Sequence, residues 1–364
     1  MIEVLLRIHP PQFLTSPKSF VGHSFARKND IESFDLEKIK WITIGDSIID
    51  WGIDHKAIYE SSLAHNQPHL RMSFGSSYLS AYQGIFNWSE QHMPNLNGVV
   101  FGLSLNRISS FGDPFREAKL LLPFNQLTES QAHYPDPRHH ILDRLYIRFK
   151  NSYLWIYRDY VKNYLYNPQI IHSEQNRPRE NTRENLFYKR NAARNICQYN
   201  INSFRQCHSK AIELKSNGKP LHLVEKFIVD KCGNANANHN AKKKDYHWQL
   251  EALEFEALKT YWKSFFTSVL AKDKQLTIVI LPESKLTLDY FMPSNAHQLM
   301  ADILKDIDQK SNLQIIDLSD LFNNNTEQEC SYYVDFLHYS NAGIDAITEE
   351  LLNRITHLKT TQTE

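Results

Sequence analysis

No stretch of this 364-residue chain approaches the roughly 18 uninterrupted apolar residues that a membrane-spanning helix needs. The opening "MIEVLLRIHPPQFL" offers only a few apolar residues before two prolines, and it lacks the layout of a secretory signal. A soluble polypeptide is expected, cytoplasmic by default, with envelope association open only for a chain that has lost an anchor. An excess of charge is missing too. Lys+Arg and Asp+Glu both number 41, so the formal net charge is zero and nucleic acid is not an expected partner. The 17 histidines would make the chain mildly cationic only below neutral pH. Cysteine is scarce. Cys197, Cys207, Cys232 and Cys330 are widely spaced with no CxxC pair, which favours ordinary thiols over a disulfide or zinc set. P-loop and dinucleotide glycine patterns are absent, as are internal repeats.

What is present is a foldable chain with 41% apolar and 12% aromatic residues, enough for a substantial core. Residues 1–37, with Pro10, Pro11 and Pro17, read as an irregular N-terminal arm. From 38 to 106 the pattern alternates. "WITI" ending at Gly45 predicts a buried parallel strand, and "DHKAIYESSLAHN" predicts a helix with Asp54 as N-cap. "HLRMSFG" then predicts a second strand, "SSYLSAYQGIFNWSEQH" a second helix, and Gly98 to about Leu103 a third strand.

The rhythm stops between 107 and 247. This region reads as a helical insertion with an aromatic segment from Tyr146 to Tyr166 and a mobile Asn/Lys-rich stretch, "GNANANHNAKKK". From 248 to 358 the alternation resumes. Leu258, Trp262, Phe265 and Val269 fall at helical spacing, "QLTIVILPES" and "LQIIDLSDLF" predict two more strands, and "NAHQLMADILKDI" predicts a helix between them. A last helix from about Asn341 sets Ile344, Ile347, Leu351, Ile355 and Leu358 on one side, and 359–364 form a tail. The fold class is therefore α/β: a three-layer sandwich around a five-stranded, mainly parallel sheet, with a large, mainly helical insertion.

Ligands of open α/β sheets bind beyond the carboxyl ends of the strands. "GDS" puts Ser47 at the end of the first strand, next to the switch point of a flavodoxin-like strand order. There a hydroxyl can attack while its own amide, at a helix N-terminus, stabilises negative charge. Far along the chain, "YVDFLHYSNAG" carries Asp335 and His338 three residues apart in one loop. A serine nucleophile needs a base, and the base needs a partner to fix its tautomer. The two stretches together supply all three groups.

"TIGDSIIDWG" and "DFLHYSNAG" resemble blocks one and five of the SGNH (GDSL-like) hydrolase superfamily, over roughly residues 38–106 and 248–358. The resemblance implies a flavodoxin-like sandwich, Ser47 as nucleophile, His338 as base and Asp335 as its orienting group. It also implies an oxyanion hole from the Ser47 and Gly75 amides and the Asn106 side chain. The third block departs from the family's Gly-x-Asn-Asp, because Arg107 follows Asn106.

The implied activity is an ester hydrolase or acyltransferase working through an acyl-enzyme, with neither metal nor cofactor. The insertion and arm further resemble SGNH-like proteins that modify O-acetyl groups on bacterial polysaccharides, so an acylated glycan is the expected substrate. A lipid or small-ester esterase on the same fold, or a silent glycan- or protein-binding module, remain open at this point. "HYPDPRHH" at 133–140 lacks metal-ligand spacing and reads as a solvated loop, and "KKK" at 242–244 as a solvated run.

Overall fold

The computed structural model describes residues 20–126 except 76 and 125, isolated positions between 149 and 169, and 196–233 except 200, 202, 203 and 219. It further describes 249–307 except 286 and 289–291, then 311–322, and 329–355 except 336. The histidine-rich loop, the Asn/Lys stretch, most of the aromatic segment, Leu358 and the tail lie outside these residues.

The sheet contains β1 (Trp41–Ile44), β2 (His69–Arg71), β3 (Gly98–Leu103), β4 (Gln275–Ile280) and β5 (Leu313–Asp317). All neighbouring strands are parallel, in the order β2-β1-β3-β4-β5. The order reverses between β1 and β3, so the connections leaving these two strands diverge and open a crevice at their carboxyl ends. Ile44 pairs with Phe101 there, which sets the ends of both strands side by side.

Among the described residues the α-helices are α1 (Phe20–Glu32), α2 (Ser47–Gly52), α3 (His55–Ala64), α4 (Leu79–His92), α5 (Leu105–Ile108), α6 (Pro114–Leu121), α7 (Phe204–Ser216), α8 (Leu223–Cys232), α9 (Ala252–Leu270), α10 (Ala296–Ile307) and α11 (Asn341–Arg354). Two apolar clusters cover the two faces of the sheet. One takes Val99, Phe101 and Leu103 from β3 together with Tyr82, Trp88, Trp262 and Phe265 from α4 and α9. Val100, between them, points to the opposite cluster, where Ile344, Ile347 and Leu351 of α11 are buried. The expected apolar sides of α9 and α11 are thus the buried sides. Asp54 caps α3 by accepting hydrogen bonds from the Lys56 and Ala57 amides.

Glycine lets the second face close tightly. A β-carbon on Gly45 would stand 2.0 Å from Ile49 Cγ2, and one on Gly102 would stand 2.6 Å from Ile49 Cδ1. α2 therefore lies directly on β1 and β3 and has little freedom to shift.

Two expectations need correction. The arm is not irregular throughout, because α1 spans 13 residues, and Phe25 and Ile31 are buried. Its apolar stripe is broken by Ser24 and Asp30, which are also buried, so the sequence pattern concealed it. The cysteines are not free thiols. Cys197 pairs with Cys330 and Cys207 with Cys232, their Cα atoms 5.1 and 5.7 Å apart. Pairing across 133 residues depends on tertiary contact, which spacing cannot reveal. The second bridge ties α7 to α8, and the first ties the insertion to the turn preceding Asp335.

Replacing Cys197 and Cys330 together by serine reopens a long loop, worth up to about 5 kcal/mol on a chain-entropy argument. The melting temperature should fall by several degrees, and reduced wild-type protein should fall with it. An unchanged melting temperature on reduction would show that the bridge contributes nothing.

Candidate functional site

β1 gives way to Gly45, and Asp46 caps α2, its Oδ1 accepting from the Ile48 amide at 2.9 Å. Ser47 is consequently the first helical residue rather than the cap, and the short side chain of Asp46 fixes the turn that presents it. Ser47 is 7% exposed. Its Oγ lies 3.0 Å from His338 Nε2, and His338 Nδ1 lies 2.8 Å from Asp335 Oδ2.

The local chain explains how Asp335 and His338 meet. Tyr333 and Tyr339 form an antiparallel bridge, and the Val334 amide donates to the His338 carbonyl at 2.8 Å. Within this closed turn, Asp335 Oδ1 accepts from the amides of Leu337 and His338 at 2.8 and 2.7 Å, leaving Oδ2 for the imidazole. Burial alone would raise the Asp335 carboxyl. The His338 charge and hydrogen bond, with the two amides, outweigh burial and hold the group below the usual aspartate range. Trp51 covers the imidazole, with ring centroids 5.0 Å apart. Tyr339 packs so closely on Gly52 that a β-carbon there would approach its ring within 2.7 Å, which locks α2 against the Asp335 turn.

Gly75 follows β2 and stands beside Ser47. A β-carbon built on it would lie 3.9 Å from Ser47 Cβ and 3.8 Å from Trp51 Cζ2, so a larger residue would enter the space above Ser47. Asn106 lies in α5, immediately beyond β3, half-buried, with its backbone amide donating to Glu283 Oε1 at 2.9 Å.

Arg107, the departure from the expected third block, is held by contacts with two neighbouring strand-end turns. Its Nε donates to Asp46 Oδ2, and its guanidinium stacks 4.1 Å from the Tyr78 ring centroid. Burial opposes the charge of Arg107, but Asp46 more than compensates and raises its pKa above the usual arginine value. This one side chain joins the turns after β1, β2 and β3. Sequence reasoning missed it because its partner lies 61 residues away.

Glu283, just past β4, was also missed. Its Oε2 has no hydrogen-bond partner among the described residues, and burial pushes its carboxyl up to about 7, assisted by the charge of Asp46 and opposed by hydrogen bonds from Asn106, Ser104 and Leu105. Among the described residues, no group of three or more His, Cys, Asp or Glu could hold a metal ion, and no helix is long and apolar enough to cross a membrane. A cavity of about 650 Å³ adjoins the site, and Trp51 and Gly75 form part of its wall.

No family model matches this sequence, and no curated protein aligns with it significantly. Inference about the site therefore rests on its geometry.

Glu283 gives that geometry a pH signature. Its pKa rises on folding from an ordinary 4.5 to about 7, so the protonated form stabilises the fold at low pH. This contribution is lost as pH rises through the folded value and amounts to about 3 kcal/mol at most. In urea unfolding between about pH 5 and about pH 8, Glu283→Gln should show a shallower fall in stability than wild type. Parallel curves would place the proton elsewhere.

Proposed function

We propose that this chain is a serine-dependent acyl-ester hydrolase or O-acyltransferase of the SGNH (GDSL-like) type, acting on an O-acylated, acetyl-bearing glycan. One observation carries the reading. Ser47 Oγ, both nitrogens of His338 and the Asp335 carboxylate form an unbroken hydrogen-bonded relay, at 3.0 and 2.8 Å. A serine used only to cap a helix would have no need of an imidazole in turn oriented by a buried carboxylate.

In the proposed reaction, Ser47 Oγ attacks the ester carbonyl carbon while His338 Nε2 takes its proton. Asp335 keeps Nδ1 protonated and stabilises the imidazolium that forms. The amides of Ser47 and Gly75 and the side-chain amide of Asn106 donate to the oxyanion, each such donor contributing roughly 3 kcal/mol. The tetrahedral intermediate collapses when His338 returns its proton to the leaving alkoxide, which leaves the acyl group on Ser47. Water, or an acceptor hydroxyl, then attacks with His338 again as base. The choice between hydrolysis and transfer lies in which of these two occupies the space beside the acyl-enzyme.

The disulfides bear on location. Paired cysteines persist in oxidising compartments, so the reading sets the enzyme outside the reducing cytoplasm, in keeping with a glycan substrate.

Wild-type protein should release p-nitrophenol from p-nitrophenyl acetate and become labelled at Ser47 by a fluorophosphonate. Ser47→Ala should lose both, and Asp335→Asn should lower kcat by roughly three to four orders of magnitude through the wrong imidazole tautomer. Wild-type protein that is folded yet neither turns over nor labels would instead be a binding module.

A further inference from the structure

The relay leaves one buried acid unused. Glu283 follows β4 and is 8% exposed. The pairing of β4 with β3 runs on past the strand ends, because the Leu281 amide donates to the Leu103 carbonyl at 2.9 Å. Glu283 is thereby carried alongside Ser104, Leu105 and Asn106, where β3 gives way to α5. From the other flank the Tyr339 hydroxyl donates to the Pro282 carbonyl at 2.6 Å, so the backbone just before Glu283 is tied to the Asp335 turn.

α5 is a single turn of four residues, too short to hold itself together. Its leading amides must find acceptors outside the helix. Ser104 Oγ takes the Arg107 amide at 3.3 Å, and Glu283 Oε1 takes the Asn106 amide at 2.9 Å. The Ser104 side chain and the Leu105 amide also donate to this carboxyl. Capping alone is poorly served by a buried acid, because an uncharged amide or hydroxyl accepts from the same groups without burying a charge. That cost shows at Oε2, which has no hydrogen-bond partner among the described residues.

What a carboxylate adds is a charge-assisted grip, roughly twice as strong as a neutral hydrogen bond. The residue it grips is the one that bears the third proposed oxyanion donor. Asn106 bonds through its backbone alone, its amide to Glu283 and its carbonyl to Ser109 Oγ at 3.4 Å. Among the described residues its half-buried side-chain amide is therefore left open, as a donor awaiting a ligand oxygen would be.

We propose that Glu283 is a positioning residue for acyl transfer: by gripping the first turn of α5 it keeps the Asn106 side-chain amide set to meet the oxyanion formed at Ser47. The catalytic use rests on the acyl-transfer reading above, whereas the grip on Asn106 does not. Glu283 acts through Asn106 and touches no reacting atom. Burial favours its neutral form, as does Asp46, itself paired with Arg107, while the Asn106, Ser104 and Leu105 hydrogen bonds favour the carboxylate. Tyr333 and Tyr339 of the Asp335 turn also feel its charge, and burial keeps both phenols neutral. The balance lies at about 7, so the grip tightens as pH rises through that value.

The test has two arms. In the first, the full chain is labelled with 15N-asparagine, and the Asn106 backbone signal is assigned by its loss in Asn106→Ala. That signal should shift with pH around about 7 in wild type and stay still in Glu283→Gln. In the second, turnover of p-nitrophenyl acetate is compared across variants. The ratio of wild-type to Glu283→Gln kcat should rise by about tenfold between about pH 6 and about pH 8, a comparison in which the ionisation of His338 cancels. Asn106→Ala alone should cost about a hundredfold in kcat. Glu283→Ala, read where its melting temperature stays near wild type, should lose a large part of that factor with KM little changed. Added to Asn106→Ala, it should lower kcat by no more than about twofold.

An Asn106 signal indifferent to Glu283, a flat kcat ratio across pH, or fully additive losses in the double variant would each overturn the proposal while leaving an active enzyme. An Asn106 signal that follows Glu283, in folded protein that turns over no ester and takes no fluorophosphonate, would instead remove the acyl-transfer reading and reduce Glu283 to a structural cap.

Discussion

The Asp335 carboxylate is the group on which the site depends. One of its oxygens takes the amides of Leu337 and His338 and so shapes the turn, while the other takes the imidazole and so aims it. A carboxylate this buried is tolerated only when its charge is met by several donors, and these donors are what hold it ionised. Folding the turn and orienting the imidazole are therefore a single event. If the carboxylate lost its charge, the imidazole and the loop that carries it would both lose their reference point.

That turn is secured from outside as well. Tyr339 wedges against Gly52, and its hydroxyl donates to the Pro282 carbonyl at 2.6 Å, which ties the end of β4 to the end of α2. The Cys197–Cys330 bridge fastens the insertion five residues before Asp335. The insertion is consequently more than an appendage, because it bears on the segment that carries Asp335 and His338. On the other flank, Ile49 fills the hollows left by Gly45 and Gly102, so the serine sits on a helix with no room to slide.

Charge is arranged around α2 with the same economy. Asp46, just before Ser47, pairs with Arg107, while Asp50, three residues after it, pairs with Arg27 and Arg71. The first pair draws together three strand ends and thereby shapes the crevice beside Ser47. The second ties α1 and β2 to the short helix that carries Ser47. Buried ion pairs seldom add much net stability, so their concentration here is better understood as positioning.

Much of this was legible in the chain. "WITI", "GVVFGL" and "QLTIVI" read as strands because both faces of a parallel sheet are buried and the residues are mostly apolar. The apolar sides of α9 and α11 followed from helical spacing, and Ser47, Asp335 and His338 were singled out because their residue types and strand-end positions suit one chemistry, whereas Gly75 and Asn106 entered only through the resemblance to a known family. What the sequence determined was thus local: periodicity, caps and the short turn from Asp335 to His338. Only the tertiary structure decided that Cys197 meets Cys330, that Arg107 reaches Asp46, that Glu283 lies under Asn106, and that Arg27 and Arg71 share Asp50. Each of these depends on how far apart two segments lie after the strands have paired, and that distance is set by the packing of the whole sheet rather than by any pattern along the chain.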